Sequence, residues 1–166
     1  MPYDVDEIHT THPSHMEASQ DSSADRVPLI EDRIVLEAVQ MNLSGQVATA
    51  VVRLRERGRR VSSRAVGRNV EARRLALLGE AAARALTELM PVGYGAILTD
   101  IQAVATEAGE AVVAALTLLL PEKEEVLMGI ARSDTGMAEA AVRAILNAVN
   151  RRLSFVFVER PLTSMN

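Results

Sequence analysis

The chain has 166 residues, of which 48% are hydrophobic and only 2% aromatic, and it contains neither Cys nor Trp. This length suits one ordinary domain plus a tail. The lack of Cys excludes disulfides, thiolate nucleophiles and Cys-ligated zinc, and favours a reducing, cytoplasmic setting. The scarcity of aromatic side chains disfavours proteins that recognise nucleic acids by base stacking. Behind the net charge of −4, acidic residues collect near the N-terminus and arginines between Arg53 and Arg74, which predicts two differently charged regions.

Residues 1–31 are acidic and polar and show no apolar periodicity, so we expect a disordered tail. His9, His12 and His15 recur there at every third position. Such spacing can supply metal ligands, but no scaffold is evident to fix their geometry, so we expect a plain leader with no metal and no cofactor. The chain start lacks the features of a signal peptide, and the longest apolar run, 111–120, is about half of the ~20 residues that a membrane span needs.

The first half of the chain predicts three strands and a helix. Residues 33–40 are rich in β-branched side chains, and residues 47–55 alternate, with Ala48, Ala50, Val52 and Leu54 on one face. A turn at 56–59 leads to an antiparallel strand at 60–66. Asn69 is the predicted N-cap of a helix over 70–89, whose apolar residues recur at spacings of three and four.

The second half repeats this order. Strands are predicted at 97–105, 110–120 and 126–131, with a charged turn at 121–125, followed by a helix over 137–153 that Ser133, Asp134 or Thr135 caps. We therefore predict an α+β fold of two consecutive βββα units, 32–91 and 95–153, in which antiparallel sheets and two helices pack about a pseudo-twofold axis. Within the C-terminal stretch 154–166, the sequence SFVFV predicts a further strand-like extension.

The segments GIARSDT, AEAA and AILNAVNRRL of the second unit resemble the C-terminal regulatory, leucine-responsive domain of 2-isopropylmalate synthase and citramalate synthase. The resemblance covers about residues 32–153. It implies two βββα units, dimerisation and binding of an effector amino acid. The metal-dependent catalytic barrel of those synthases has no counterpart in these residues, so we expect a stand-alone relative without condensing chemistry.

The two predicted helix starts are candidate ligand sites. Amide groups at the start of a helix favour a carboxylate or a phosphate, and in a pseudo-twofold arrangement both starts could face one cavity. The alternative is ordinary helix capping by Asn69 and Thr135. The candidate residues are Gly67, Asn69, Val70, Ser133, Asp134, Thr135 and Gly136.

Arginines dominate the predicted second and third strands. Arg53 and Arg55 share one strand face, and Arg60 and Arg64 are placed on the neighbouring strand. Such a surface can dock an acidic protein partner or, less favoured, bind nucleic acid without sequence preference. The alternative is a solvated face that pairs with helix carboxylates or with the acidic tail.

The third strand of the second unit is apolar at both parities, because Val126, Leu127, Met128 and Ile130 fill both. A strand that is apolar on both faces needs cover on both, which predicts a homodimer through the second unit. Asn147 and Asn150 are then either hydrogen-bonded across a dimer contact or solvent-exposed. No catalytic motif is present, so we expect no enzyme but a regulatory, small-molecule-binding and dimerisation module, or else a scaffold that docks an acidic partner.

Overall fold

The structure is a computed structural model that describes residues 33–156, with side chains described to residue 153. The predicted tail at 1–31, with its three histidines, and the stretch 157–166 lie outside the described residues. The elements in chain order are β1 (Val35–Ser44), β2 (Val47–Glu56), β3 (Arg59–Arg68), α1 (Glu71–Leu89), β4 (Gly95–Thr106), β5 (Gly109–Leu120), β6 (Lys123–Arg132) and α2 (Met137–Val156).

The predicted α+β fold of two βββα units is confirmed. β1, β2 and β3 form one antiparallel sheet in that order, and β4, β5 and β6 form a second. Even an irregularity is repeated, because the register of the first strand pair shifts by one residue at Glu37 in the first unit and at Thr99 in the second. Each extra residue is a β-bulge, which turns its side chain out of the regular alternation.

The alternation predicted for the second strand of each unit is also confirmed. The inward residues of β2, from Ala48 to Leu54, have no exposed surface, and those of β5, from Val112 to Leu118, are at most 1% exposed. The predicted charged turn at 121–125 is too long. Only Pro121 and Glu122 separate β5 from β6, because the strand pairing extends to Leu120 and Lys123, and the Glu125 carboxylate lies within β6 beside Lys123 and Arg152.

The two units pack reciprocally. α1 lies on β2 and β3 of its own sheet and also on β4, whereas α2 lies on β5 and β6 and also on β1. The helices contact each other, and buried residues of both units form one core. Each helix thus covers its own sheet and the first strand of the other unit, as the predicted pseudo-twofold relation requires.

Hydrogen bonds reinforce this exchange at equivalent places. The Thr87 hydroxyl of α1 accepts a bond of 2.9 Å from the backbone N–H of Ala96 in β4. In the other direction, the Asn150 amide of α2 accepts from the backbone N–H of Ile34 at 3.2 Å and donates to its carbonyl at 3.1 Å. Each unit therefore satisfies backbone groups where the first strand of the other begins, and such groups are costly to leave unpaired.

Small residues let the helices come close to the sheets. A Cβ atom added at Gly129 in β6 would lie 2.1 Å from the carbonyl oxygen of Ala144 and 2.6 Å from the backbone nitrogen of Ala148, both in α2. At Gly79 in α1, the nearest atom to an added Cβ would be a methyl carbon of Leu98, at 2.7 Å. The first contact would be with backbone atoms and the second with the end of a flexible side chain. Of these two glycines, only Gly129 therefore sets the distance between its strand and the helix that packs on it.

Several local predictions are wrong. Val70, not Asn69, is the N-cap of α1, and it makes no side-chain capping bond. Asn147 is solvent-exposed, as one of the two alternatives predicted, and it also donates to the carbonyl of Ile130 in β6, whereas Asn150 is half-buried and bonds to Ile34. The strand predicted for SFVFV is wrong for residues 154–156, which continue α2 because the helix hydrogen-bond ladder is not interrupted by Gly or Pro there.

Candidate functional site

The two units differ clearly in the residues on the outward faces of their sheets. The helices cover one side of each sheet, so the other side is open. The strand pairing shows which positions of the two units are equivalent. Val52 pairs with Ser63 in the first sheet, and the corresponding pair in the second sheet is Ala114 with Gly129. Matched on that register, five outward positions hold Arg53, Arg55, Arg60, Ser62 and Arg64 in the first unit and Ala115, Thr117, Val126, Met128 and Ile130 in the second.

We call the outward side of the first sheet the arginine face and define it by Arg53, Arg55, Arg60, Ser62 and Arg64. Arg55 lies directly opposite Arg60, and Arg53 lies opposite Ser62. An open depression of about 790 Å³ is centred there and is lined by Leu36, Glu37, Arg53, Arg55, Arg60, Val61 and Ser62. Three of the four predicted arginines therefore line one concave surface, and Arg64 lies beside it, opposite Val51.

Two like charges directly opposite each other destabilise a sheet unless they are compensated. Here the carboxylate of Glu37 compensates them, because its Oε1 lies 3.2 Å from Nε of Arg55 and 2.9 Å from Nε of Arg60. The β1 bulge places Glu37 on this side of the sheet. In the second unit, the equivalent pair is a hydrogen bond of 3.0 Å between the Thr99 and Thr117 hydroxyls.

One carboxylate does not neutralise the arginine face. Within residues 33–156, neither the Arg53 nor the Arg64 guanidinium has an ion-pair or hydrogen-bond partner. Both residues are exposed. A guanidinium presents several donors in a plane that matches a carboxylate or a phosphate. The face therefore offers two unengaged cationic groups beside a compensated pair.

The outward side of the second sheet is hydrophobic, and we call it the apolar face. Its most exposed members are Val126 at 70%, Met128 at 69%, Ile130 at 55% and Ile97 at 53%. Half-buried Val113, Ala115 and Leu119 of the central strand β5 continue the surface between them. These residues make most of this side apolar, with the Thr99 and Thr117 hydroxyls as a polar pair among them. Exposed apolar patches of several hundred Å² on a monomer are often functional.

No protein-family model matches the chain, and neither does any curated protein sequence. Among the residues that the structure describes, no group of three or more His, Cys, Asp or Glu is placed to hold a metal ion. Between residues 33 and 156, neither helix combines the length and the apolar character that crossing a membrane requires.

The first predicted ligand site, at the start of α1, is largely occupied by the protein itself. The Asn69 side chain donates to the carbonyl of Gly45 at 3.1 Å and accepts from Arg74 at 3.0 Å, and so ties the β1–β2 turn to the helix. A Cβ at Gly67 would lie 2.8 Å from a Leu77 methyl carbon, which places this residue against the core. Val70 is half exposed and leaves the helix start without a side-chain cap.

The second predicted ligand site, before α2, is engaged in the same way. The Ser133 hydroxyl donates to the carbonyl of Glu110 at 3.0 Å, and the Asp134 carboxylate lies 3.2 Å from a guanidinium nitrogen of Arg132. Gly136 continues into the helix, and its carbonyl accepts from Ala140. Neither these residues nor Thr135 nor those at the start of α1 line the depression on the arginine face.

Sequence reasoning missed two residues that line the depression. Ser62 lies between the arginines in the depression, and Glu37 holds two of them. Alternation along β3 places Ser62 on the same face as Arg60 and Arg64, so a strict reading of period two would have found it. Glu37 gives no such signal, because its orientation depends on a bulge.

Proposed function

We propose that this chain is a non-catalytic, cytoplasmic binding module with two outward faces, one that docks an acidic protein partner and one that joins two copies of the chain. The observation that supports this proposal is the contrast between equivalent positions of the repeat. Where the first unit has arginine at 60 and 64, the second has Val126 and Ile130. Neither set is needed for the core, which lies on the other side of each sheet.

The arginine face suits an extended acidic segment better than a compact ligand. The arginines are spread over three cross-strand rows, and alternate residues along a strand are roughly 7 Å apart. A single carboxylate contacts only one row, whereas an acidic segment with carboxylates at every second residue matches several rows. The depression is open, which leaves room for a chain to cross it.

Binding to a fluorescent hexaglutamate peptide tests this docking. We expect Arg53→Glu combined with Arg64→Glu to weaken binding at least about tenfold, since each lost charge-assisted hydrogen bond contributes about 1.5–3 kcal/mol. Arg73→Glu with Arg143→Glu makes the same charge change on the helices and should weaken binding far less. Equal losses in the two double variants would show only net-charge attraction. Duplex DNA as a competitor addresses the nucleic-acid alternative, because a polyanion that displaces the peptide with higher affinity would favour it.

The apolar face suits a second copy of the same chain. Two sheets that pack face to face lie about 10 Å apart and exclude water from the side chains between them. A twofold axis through the face would let Met128 and its neighbours meet the same residues of the other copy. The exposed patch would supply the hydrophobic centre of an interface of standard size, which buries about 800 Å² per partner.

Sedimentation analysis tests the dimer with a matched pair of variants. Met128→Lys places a charge at the centre of the apolar face, whereas Ser62→Lys makes the same residue at the equivalent position of the arginine face. We expect the wild-type chain and Ser62→Lys to sediment as dimers and Met128→Lys as a monomer. A wild-type chain that is monomeric throughout the micromolar range would contradict the proposal.

A second candidate function is a ligand-responsive regulatory module that acts on a partner enzyme in trans. The observation that favours it is the start of α1, where Val70 provides no side-chain cap. The Arg73 amide donates to the Val70 carbonyl, so only the amides of Glu71 and Ala72 remain for a carboxylate of an amino-acid-like ligand. Calorimetric titration with branched-chain amino acids and 2-oxo acids tests this candidate. Absence of heat across the panel at millimolar concentration would remove it, and would leave both faces unaffected.

A further inference from the structure

The charges of the chain divide sharply at the point where the described fold begins. Residues 1–32 contain one basic residue, Arg26, and eight acidic ones, so their net charge is −7, whereas residues 33–166 carry +3. The acidic residues are Asp4, Asp6, Glu7, Glu17, Asp21, Asp25, Glu31 and Asp32. The same chain therefore contains both an acidic segment and the arginine face, whose guanidinium groups outnumber the carboxylates that pair with them.

The acidic segment joins the fold at the edge of that surface. β1 is an edge strand, and its first residue, Val35, lies directly opposite Arg55. Ile34 is held by two hydrogen bonds to Asn150, so the point of attachment is fixed. Leu36 and Glu37 of the same strand line the depression. The described chain thus starts at Arg33, only two residues before the strand that borders the arginines.

The lengths involved allow the segment to reach every arginine of the face. An extended chain spans at most about 3.3–3.6 Å per residue, so Glu31 lies within roughly 14 Å of Val35 and Asp25 within roughly 35 Å. Arg64 is only a few residues from Arg55 across and along the sheet. Attachment to the fold also gives the segment an effective concentration on the order of millimolar at the face, which even a weak interaction would exploit.

We infer that the acidic segment 1–32 docks on the arginine face of its own chain and competes there with the acidic partner. Its carboxylates pair with Arg53 and Arg64, the two guanidiniums of the arginine face that have no partner among residues 33–156. An external partner must displace the segment, so the face is autoinhibited. This inference rests on the proposed docking function, because it assigns the same surface to an acidic chain.

A spin label on the full-length chain tests the contact without any external partner. The chain has no Cys, so Ser19→Cys provides a single site for a nitroxide. We expect the label to broaden the amide signals of Ser62 and Arg64 strongly and those of Met128 and Ile130, their equivalents on the apolar face, weakly. Arg53→Glu with Arg64→Glu should abolish the difference. Equal broadening on both faces, or none, would overturn the inference.

The broadening must also arise within one chain. In a mixture of spin-labelled chain without isotope and isotope-labelled chain without a nitroxide, we expect no broadening at Ser62 and Arg64. Broadening in the mixture would place the segment on another copy and would overturn docking in cis.

Affinity for hexaglutamate separates this inference from the proposed function. In the full-length chain, Asp21→Asn, Asp25→Asn, Glu31→Gln and Asp32→Asn together remove four negative charges from the segment. We expect the neutralised chain to bind hexaglutamate about tenfold more tightly, because an intramolecular competitor is lost. Binding with unchanged affinity would overturn autoinhibition but leave the docking function intact. If hexaglutamate binds neither chain, the docking function fails and the inference fails with it.

Discussion

Gly129 controls how closely α2 lies on β6, and its replacement is the sharpest test of the packing. In Gly129→Ala the new methyl group would lie 2.1 Å from the Ala144 carbonyl oxygen and 2.6 Å from the Ala148 backbone nitrogen. Ordinary contacts of this kind are well above 3 Å, so the helix must move by about 1 Å or more. Overpacking against side chains costs about 1–3 kcal/mol, and backbone atoms relax less, so we expect a loss of about 3 kcal/mol. The melting temperature should fall by on the order of 10 °C.

Gly79→Ala is the matched control for this prediction. Its methyl group would meet only the end of the Leu98 side chain, which can rotate away. Alanine also stabilises a helix interior by about 1 kcal/mol relative to glycine, so the net change should stay within about 1 kcal/mol of zero. Urea unfolding followed by far-ultraviolet circular dichroism measures both variants, since the chain has no Trp to report by fluorescence. Equal unfolding midpoints for the two variants would refute the proposed close contact.

Three further predictions concern polar contacts. Asn150→Ala and Thr87→Val each leave backbone groups of the other unit without a partner. Each should lower the free energy of unfolding, measured with urea, by about 1–3 kcal/mol. Because the two sites are separate, their effects should add, and a double variant that departs from the sum by more than about 0.5 kcal/mol would contradict independent hydrogen bonds. Hydrogen bonds from an arginine and then a lysine lower the pKa of Glu125 from 4.5 to about 2. A lowered carboxyl pKa stabilises the fold above about pH 4.5, and this contribution is lost as the pH falls toward about 2. The melting temperature of Glu125→Gln should therefore depend on pH less than that of the wild-type chain between these two values. Above about pH 4.5 the two chains should show the same dependence. Asn69→Ala should cost about 1 kcal/mol without faster amide exchange in the first turn of α1, and faster exchange there would show that this residue caps the helix after all.

The fold could be predicted where the sequence pattern is set by local geometry. Ala48 and Val52 are buried because alternate residues of a strand face the same side, and nothing distant is needed to know it. The glycine-containing turns and the second copy of the pattern then fix the βββα order. The ends of the strands do not follow from this pattern. β1 runs four residues beyond the predicted end, to Ser44, because its pairing partner in β2 continues to Val47.

The contacts that define the candidate site depend on residues far apart in the chain and could not be predicted. Glu37 reaches Arg60 only because a bulge and two strand pairings bring them together. Asn150 and Ile34 are separated by most of the described chain, and no local pattern relates them. The prediction for Asn69 failed for a similar reason. Its side chain donates to a turn more than twenty residues earlier, and its oxygen accepts from the Arg74 side chain and not from a first-turn amide of α1.

The bonds between Ile34 and Asn150 bring the two ends of the described chain together. α2 ends at Val156, about 9 Å further along its axis, so a linker of a few residues could join it to β1. The turn at 91–94, closed by a hydrogen bond from Tyr94 to Pro91, is where the units are connected now. A circular permutant opened at that turn should therefore fold to the same structure with its units in reverse order. The packing of the two units would then not depend on which of them comes first in the chain.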